Sequence, residues 1–520
     1  MDIEWNIGLI VKKRAMLTPD KAAMIFEDNP ITYQELNKRT NRMANLLQSK
    51  GIKKGDRVAV VLLNCPEFLE IYLASAKLGA IFVPLNFRLV GPELEYELNN
   101  CGAKFVCFHE AIIKNIDSIR NKLSIDADNY LFLKNFESKD PVCPDWAVDY
   151  DIIMKDENDK EPVSDKPVCM DDPLCIMYTS GVTGDPKGAV LTHGQTYFKN
   201  FQVIFYMDFL SDDIFLAQVP IFHSGGLFIT STPCLCRGVT FLMRQSFDPG
   251  KFAEDIEKYK ATYVCGMTSM WKMIIQDGTI DKIDTSHVRI VVGGGEKTPT
   301  SLLDNLAARG MHLQMGYGQT ENSFMMLLSK EDCERKRGSV GKPGFFSEIW
   351  IQDKKGNKLP PKEIGEIVAK GPVVMSQYWN MPEKTEEAIV DGILHTGDLG
   401  YIDEEGFFYL VDREKDMYRS GGENVYPAEV EKILMNHGNI LDVAIIGVSD
   451  EKWGETGKAF IVTKDGETVP VEEVKAFLDG KIARYKYPSK FKFVESLPMT
   501  TTGKVKKAEL KKKYGARLDK

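Results

Sequence analysis

The chain has 520 residues, 43% hydrophobic and 27% charged, enough apolar material for more than one domain core. Its formal net charge of −9 argues against a general affinity for nucleic acid, which needs a basic face against the phosphates. No apolar run reaches the roughly 20 residues of a membrane span, the N-terminus lacks a signal-like apolar core, and the cysteines form no CxxC pair, so a cytoplasmic protein without zinc is expected.

In chain order, Tyr33 to Lys50 has helical apolar spacing (Leu36, Met43, Ala44, Leu47) and stops at Gly51, a C-terminal glycine cap. Val58 to Leu63 reads as a strand, Pro66 to Leu78 as a helix, and Ile81 to Pro84 and Phe105 to Phe108 as further strands, an alternation that predicts an α/β sheet. The Asp- and Pro-rich stretch 141–173 reads as a surface connection before a second α/β stretch, 174–328. Past Arg337, short strands at 348–352, 365–369 and 407–411 predict a small β-rich unit. A compact α+β unit follows, with helices at 425–435 and 471–478 and strands at 442–448 and 458–463. The charged run 412–416 marks the boundary before it.

Residues 178–188 read YTSGVTGDPKG. The segment lies between the apolar runs 174–177 and 189–191, so it joins two strands, with Thr192 or His193 capping the helix beyond. Glycines 181, 184 and 188 let the backbone turn tightly and aim its amides at a polyphosphate. Thr179, Ser180 and Thr183 add hydroxyls, and Lys187 adds a mobile cation. The order Pro186-Lys187-Gly188 is not that of a Walker loop, which has Gly before Lys and Ser or Thr after it. A flexible surface loop would account for the glycines, but not for the hydroxyls and lysine together.

Five further segments carry the same kind of chemistry. Gly316-Tyr317-Gly318-Gln319-Thr320-Glu321 follows Gly293-Gly294-Gly295-Glu296-Lys297; alone, each is an ordinary turn. His395-Thr396-Gly397-Asp398-Leu399-Gly400 places an acid before Arg413. Near the C-terminus come Arg419-Ser420-Gly421-Gly422-Glu423-Asn424 and then residues 498–504, PMTTTGK, ending on Lys504.

In this order the segments resemble the signatures of the adenylate-forming superfamily, which includes acyl-CoA synthetases, adenylation domains and beetle luciferases. Val182 departs from it, standing where a hydroxyl is usual. The resemblance implies a large N-terminal domain, 1–412, of two α/β subdomains and a β-rich subdomain, then a hinge at 413–416 pivoting on Lys415, and a mobile α+β domain, 417–520. It implies that Thr179, Lys187, Thr320 and Lys504 act on the reacting carboxylate and phosphates, and that Glu321 binds Mg²⁺, a hard cation suited to oxygen ligands. Ser180, Gly181, Thr183, Gly184, Gly295, Glu296, Lys297, Gly316, Tyr317 and Gly318 would surround the nucleotide, with Tyr317 stacked on adenine. Asp398 and Arg413 would hold the ribose, while Arg419, Gly421 and Gly422 would border the coenzyme A channel.

The implied reaction activates a carboxylic acid with ATP and passes the acyl group to CoA. The implied acid pocket is His223, Gly225, Ile229, Met267, Thr268, Trp271, Gly318, Phe324 and Met325, which suits a hydrophobic monocarboxylate: medium-chain, alicyclic or aromatic. Trp271 and Met267 have an equally simple reading as core residues. Segment 222–227 (FHSGGL) has no acid to meet an amino-acid ammonium, which argues against an amino-acid adenylation domain. An acyl-AMP ligase loading a carrier protein is the competing enzyme, and an inactive nucleotide-binding scaffold the competing class; the latter needs no Lys504. A homodimer is compatible with the sequence.

Overall fold

The computed structural model describes residues 4–139, 141–155, 157–179, 186–294, 298–413, 416–420, 423–450, 453–464, 467, 469–479, 481–482, 484–500 and 503–514. Within them, one sheet orders its parallel strands Leu313–Tyr317, Ile290–Gly294, Tyr263–Cys265, Ile214–Ala217, Thr240–Met243 and Ala22–Phe26 side by side. A second sheet runs in parallel through Pro173–Thr179, Ile81–Pro84, Arg57–Val61, Ala103–His109 and Tyr130–Leu133. Apolar side chains from both sheets and from the helices Tyr33–Ser49, Pro66–Leu78 and His193–Met207 form one continuous core.

Pro66–Leu78 is apolar almost all round and nearly every residue of it is buried, as a helix without a polar face must be. Its two buried charges are matched. Glu70 pairs with Arg39 at 2.8 Å and accepts from the Tyr150 hydroxyl at 2.6 Å. Lys77 donates to Asn37, Asn41 and Glu161 at 2.8, 2.6 and 2.9 Å. Tyr150 and Glu161 belong to the stretch expected to be a surface connection. That expectation is corrected: the stretch also contains Val148–Asp149 and Tyr150–Ile153, and it completes two buried ion networks.

The β-rich unit is a five-stranded sheet in which Ile393–Ile402 pairs with Gly365–Lys370 on one side and with Phe408–Arg413 on the other. Not every strand past Arg337 joins it. Lys342–Pro343 and Gln377–Tyr378 return to the two α/β sheets. The charged run at 412–416 begins inside Phe408–Arg413, where Asp412 faces Leu399 and Arg413 faces Asp398, instead of forming only a linker. An edge strand tolerates such charges because one of its sides is unpaired.

The C-terminal unit is built on the long hairpin Ile440–Asp450 and Gly454–Thr463. Val443 and Ile445 face one cluster of buried side chains, while Ala444, Ile446 and Val448 face another, so the alternation of a strand covered on both faces is complete. The helix expected from Val425 starts at Pro427, because Val425 ends the strand Glu423–Val425 and proline opens a helix well.

Candidate active site

Parallel strands end at the same edge of a sheet, and ligands bind outside their carboxyl ends. Four adjacent strands here end at Ala217, Cys265, Gly294 and Tyr317. The segments that follow them carry His223 and Gly225, Met267 and Thr268, the glycine-rich 293–297 segment, and the 318–325 turn. The fold thus gathers at one edge residues separated by a hundred positions in sequence.

The 318–325 turn is unusually tight. A Cβ on Gly318 would lie 1.4 Å from the Ser323 carbonyl oxygen, and one on Gly316 would lie 2.2 Å from the Phe324 ring, so both positions require glycine. Ser323 takes φ 56°, a left-handed conformation that closes the turn. Leaving the strand, the Tyr317 hydroxyl donates to Asp398 Oδ2 at 2.7 Å. Gln319 Nε2 donates to the same oxygen at 2.7 Å and to the Thr396 carbonyl at 2.8 Å. The β-rich sheet is thereby tied to the turn, with Asp398 mostly buried and Arg413 opposite it on the neighbouring strand.

The other flank of the turn meets the Pro173–Thr179 and Lys187–Thr192 hairpin, in which Thr179 is paired with Lys187. The Thr179 hydroxyl donates to the Lys187 carbonyl at 3.3 Å. The Thr192 side chain accepts from Gln195 N as the cap of the His193–Met207 helix. Lys187 Nζ lies 4.2 Å from the Tyr378 ring centre, and the Tyr378 hydroxyl donates to Glu321 Oε1 at 2.7 Å. Burial raises the Tyr378 pKa, so the phenol keeps the proton it donates. Glu321 is itself part-exposed, and Tyr378 thus stands between it and the phosphate-loop lysine.

His223 opens on the same cleft. Its Nδ1 accepts from Gly225 N at 3.3 Å. Although the ring has exposed surface, the protein around it desolvates it, and the nearby charge of Lys504 adds to this, pushing its pKa down to about 4. Lys504 of the C-terminal unit thus lies within electrostatic reach of His223. Gly503 at φ 84° turns the chain there, and the Lys504 amide donates to Thr500 Oγ1 at 2.9 Å.

Residues 11–379 match the family model described as AMP-binding enzyme, and residues 429–504 match that of the AMP-binding enzyme C-terminal domain. This chain belongs to the AMP-binding enzyme family. It is 37% identical over 511 residues to a feruloyl-CoA synthase of Amycolatopsis sp, covering 98% of this chain and 99% of that one. It is 34% identical to an indoleacetate–CoA ligase of Aromatoleum aromaticum, covering 98% and 97%. The o-succinylbenzoate CoA synthetase of Bacillus subtilis, solved with its acyl-adenylate intermediate, has the same fold with a TM-score of 0.86, 32% identity and 98% of each chain covered.

Within this AMP-binding framework, the expected pocket residues differ in burial. Trp271 is fully buried, donates its indole N–H to the Val292 carbonyl at 3.4 Å and packs edge-on against Phe252, so it belongs to the core. Met325 is likewise fully buried, among Tyr317, Met326 and Ile367. Thr268 is buried with its hydroxyl 2.8 Å from that of Thr298. Gly225, Ile229 and Met267 stay part-exposed, and Phe324 packs edge-on against Tyr206. Ser180, Gly181, Thr183, Gly184, Gly295, Glu296, Lys297, Gly421, Gly422 and Lys415 lie outside the described residues. Arg413 and Arg419 are placed by their strands alone. Gln319 and Tyr378 were not anticipated. Gln319 sits inside a motif quoted for its neighbours, and Tyr378 is brought to Glu321 only by the strand pairing of Tyr378 with Ala189.

Proposed function

We propose that this enzyme activates a hydrophobic monocarboxylic acid, medium-chain, alicyclic or aromatic, as its acyl-adenylate and transfers the acyl group to CoA. It is an ATP-dependent, AMP-forming acyl-CoA synthetase. The observation that carries the reading is the 316–321 turn, which joins Asp398 through Tyr317 and Gln319 on one side and Lys187 through Glu321 and Tyr378 on the other. A ribose acceptor and a phosphate cation thus flank one short turn, one at each end of the place a nucleotide would take.

Two donors on Oδ2 hold the Asp398 carboxylate in place to accept from the ribose hydroxyls, with Arg413 opposite it on the neighbouring strand. Tyr317, whose hydroxyl is committed to Asp398, offers its ring to adenine. Glu321 fits Mg²⁺: Tyr378 occupies one of its oxygens, and among the described residues no cluster of three His, Cys, Asp or Glu competes for a softer metal. When bound, Mg²⁺ would neutralise phosphate charge. The substrate carboxylate attacks the α-phosphate, pyrophosphate leaves, and the mixed anhydride forms. Thr179, Thr320, Lys187 and Lys504 stabilise the charge gathering on the phosphoryl oxygens. His223, neutral at working pH with Nδ1 as acceptor, would donate Nε2–H toward the acid.

CoA thiol attack on the acyl carbonyl then releases AMP. That step needs an open route, so the 417–520 unit turns away about 413–416 with Lys415 as pivot, bringing Arg419, Gly421 and Gly422 to the pantetheine arm. Ser180, Gly181, Thr183 and Gly184 cradle the phosphates; Gly295, Glu296 and Lys297 border adenine. Acid-dependent exchange of labelled pyrophosphate into ATP, in the absence of CoA, tests the first half-reaction. Exchange with aromatic, alicyclic or medium-chain acids supports the reading; exchange confined to amino acids overturns it.

A further inference from the structure

Lys199 is a buried amine that the reaction described above does not use; burial pushes its pKa down to about 7, so it is shared between ammonium and free amine near neutrality. Its side chain is 2% exposed, and among the described residues its Nζ has no hydrogen-bond partner. Burying an ammonium without an acceptor is costly, so native structures rarely leave one in place without a reason.

The position of Lys199 follows from the His193–Met207 helix. Lys199, Gln202 and Tyr206 stand at i, i+3 and i+7 and so share one face. Gln202 Nε2 donates to the Phe324 carbonyl at 2.5 Å, and the Tyr206 hydroxyl donates to the Met325 carbonyl at 3.2 Å. Lys199 is the next residue along that face, toward the start of the 318–325 turn, and Glu321 lies within its electrostatic reach. On the opposite side its Nζ is 5.4 Å from the ring centre of Phe228, in the π-helical turn Gly225–Ser231 that also carries Ile229. Lys199 therefore stands between the two segments assigned to the acid subsite.

The groups nearby in sequence lack the same thing. Asn200 Nδ2 and Asn322 Nδ2, on residues 0% exposed, are also without partners among the described residues, and so is the Ser323 hydroxyl. Asn200 has its Oδ1 engaged by the Thr232 hydroxyl at 3.0 Å, and Asn322 has its Oδ1 engaged by Gln319 N at 2.7 Å, so in both it is the donor half that is unmatched. Phe228 offers only its ring face, which attracts a cation but accepts no conventional hydrogen bond. Among the described residues none of these donors has an acceptor within hydrogen-bond distance.

We propose that Lys199 is a specificity-determining residue whose ammonium meets an oxygen acceptor carried on the hydrophobic part of the substrate acid: a hydroxyl, ether or keto oxygen. The inference rests on the acid-activating function proposed above and narrows its substrate class from plain to oxygenated hydrophobic acids. A site built to hydrogen-bond such an oxygen discriminates against the deoxy analogue far more strongly than an apolar wall does.

The test compares wild type with Lys199→Met in pyrophosphate release, using pairs of acids that differ by one oxygen: cinnamate and 4-hydroxycinnamate, octanoate and 8-hydroxyoctanoate, cyclohexanecarboxylate and 4-hydroxycyclohexanecarboxylate. Wild type should favour the oxygenated member of its best-used pair. Lys199→Met should cut that preference roughly 10- to 100-fold, as expected for a lost bond to a charged donor, with KM for ATP unchanged. Its melting temperature should not fall, since an unpaired buried ammonium gives way to a thioether of similar length. Lys199→Gln, which keeps an amide donor, should restore part of the preference. Equal losses on both members of every pair, a preference unmoved by the substitution, or a change confined to ATP or Mg²⁺ dependence would overturn the assignment. If no acid supports pyrophosphate release in wild type, the proposed function falls and this inference falls with it.

Discussion

Replacing Gly225 with Phe tests the acid subsite without touching the nucleotide subsite. A Cβ built on Gly225 meets only His223 Nδ1, at 3.7 Å, an ordinary contact, so a larger side chain is accommodated and projects into the cleft. The next glycine is an internal control. A Cβ on Gly226 would lie 2.2 Å from the Pro220 carbonyl oxygen and 2.7 Å from Ile221 Cα, backbone atoms that cannot step aside. A benzyl group at 225 displaces about three or four methylenes of a bulky acid, and at about 0.8 kcal/mol for each buried methylene that is roughly 3 kcal/mol, or about 100-fold in kcat/KM. Short acids, which do not reach that space, should keep their kcat/KM within about threefold. The assay is acid-dependent pyrophosphate release across aromatic, alicyclic and linear acids at saturating ATP, with KM for ATP measured alongside. Gly226→Ala should instead lower the melting temperature, by overpacking of about 1–3 kcal/mol, without changing the acid preference of the enzyme that remains folded. An unchanged acid spectrum in Gly225→Phe, or an effect on ATP equal to that on the acid, would refute this placement of the pocket.

Other expectations concern the nucleotide, the lysine and the core. Asp398→Asn should weaken the AMP moiety about tenfold or more, since its ribose bonds lose charge assistance, and isothermal titration with AMP measures it. Lys504→Ala should slow adenylate formation by roughly 10²–10³-fold while thioester formation from supplied acyl-adenylate stays comparatively fast; equal losses in both half-reactions would rule out the assignment. His193 is fully buried, and desolvation, opposed by Asp172, pushes its pKa down to about 3, so the unfolded chain binds its proton first. Its contribution to stability is therefore lost as the pH falls below 6.5, amounting to about 2 kcal/mol between pH 7.5 and pH 5. Denaturant titrations of wild type against His193→Gln should show the difference between them shifting by that amount over this window.

Much of the site was legible in the sequence because its chemistry is local. Lys187, the 316–321 turn and Asp398 each lie in a short stretch, and the structure brings these stretches together. Helices with clear stops were equally legible: Pro66–Leu78 was read to the residue, from its opening proline to Gly79 at φ 69°. What escaped depends on contacts far apart in the chain. Tyr378 reaches Glu321 through an edge strand two residues long, too short to leave a periodic pattern. The buried pairing of Lys77 with Glu161 spans 84 positions, so each residue in isolation reads as surface charge. For Trp271 the sequence left a pocket role, implied by resemblance, beside a core role; on a helix adjacent residues point in different directions, and its contacts are with the core. The 412–416 run read as a linker because charge alone does not reveal the end of a strand.

The most direct measurement is the identity of the nucleotide product when purified enzyme is given ATP, Mg²⁺, CoA and the best-used acid, resolved by chromatography with and without each reactant. AMP and pyrophosphate should form in equal amounts with the acyl-CoA, and withholding CoA should leave a single turnover of pyrophosphate with acyl-adenylate retained on the enzyme. ADP and orthophosphate as products, or AMP released at the same rate without acid, would contradict the account.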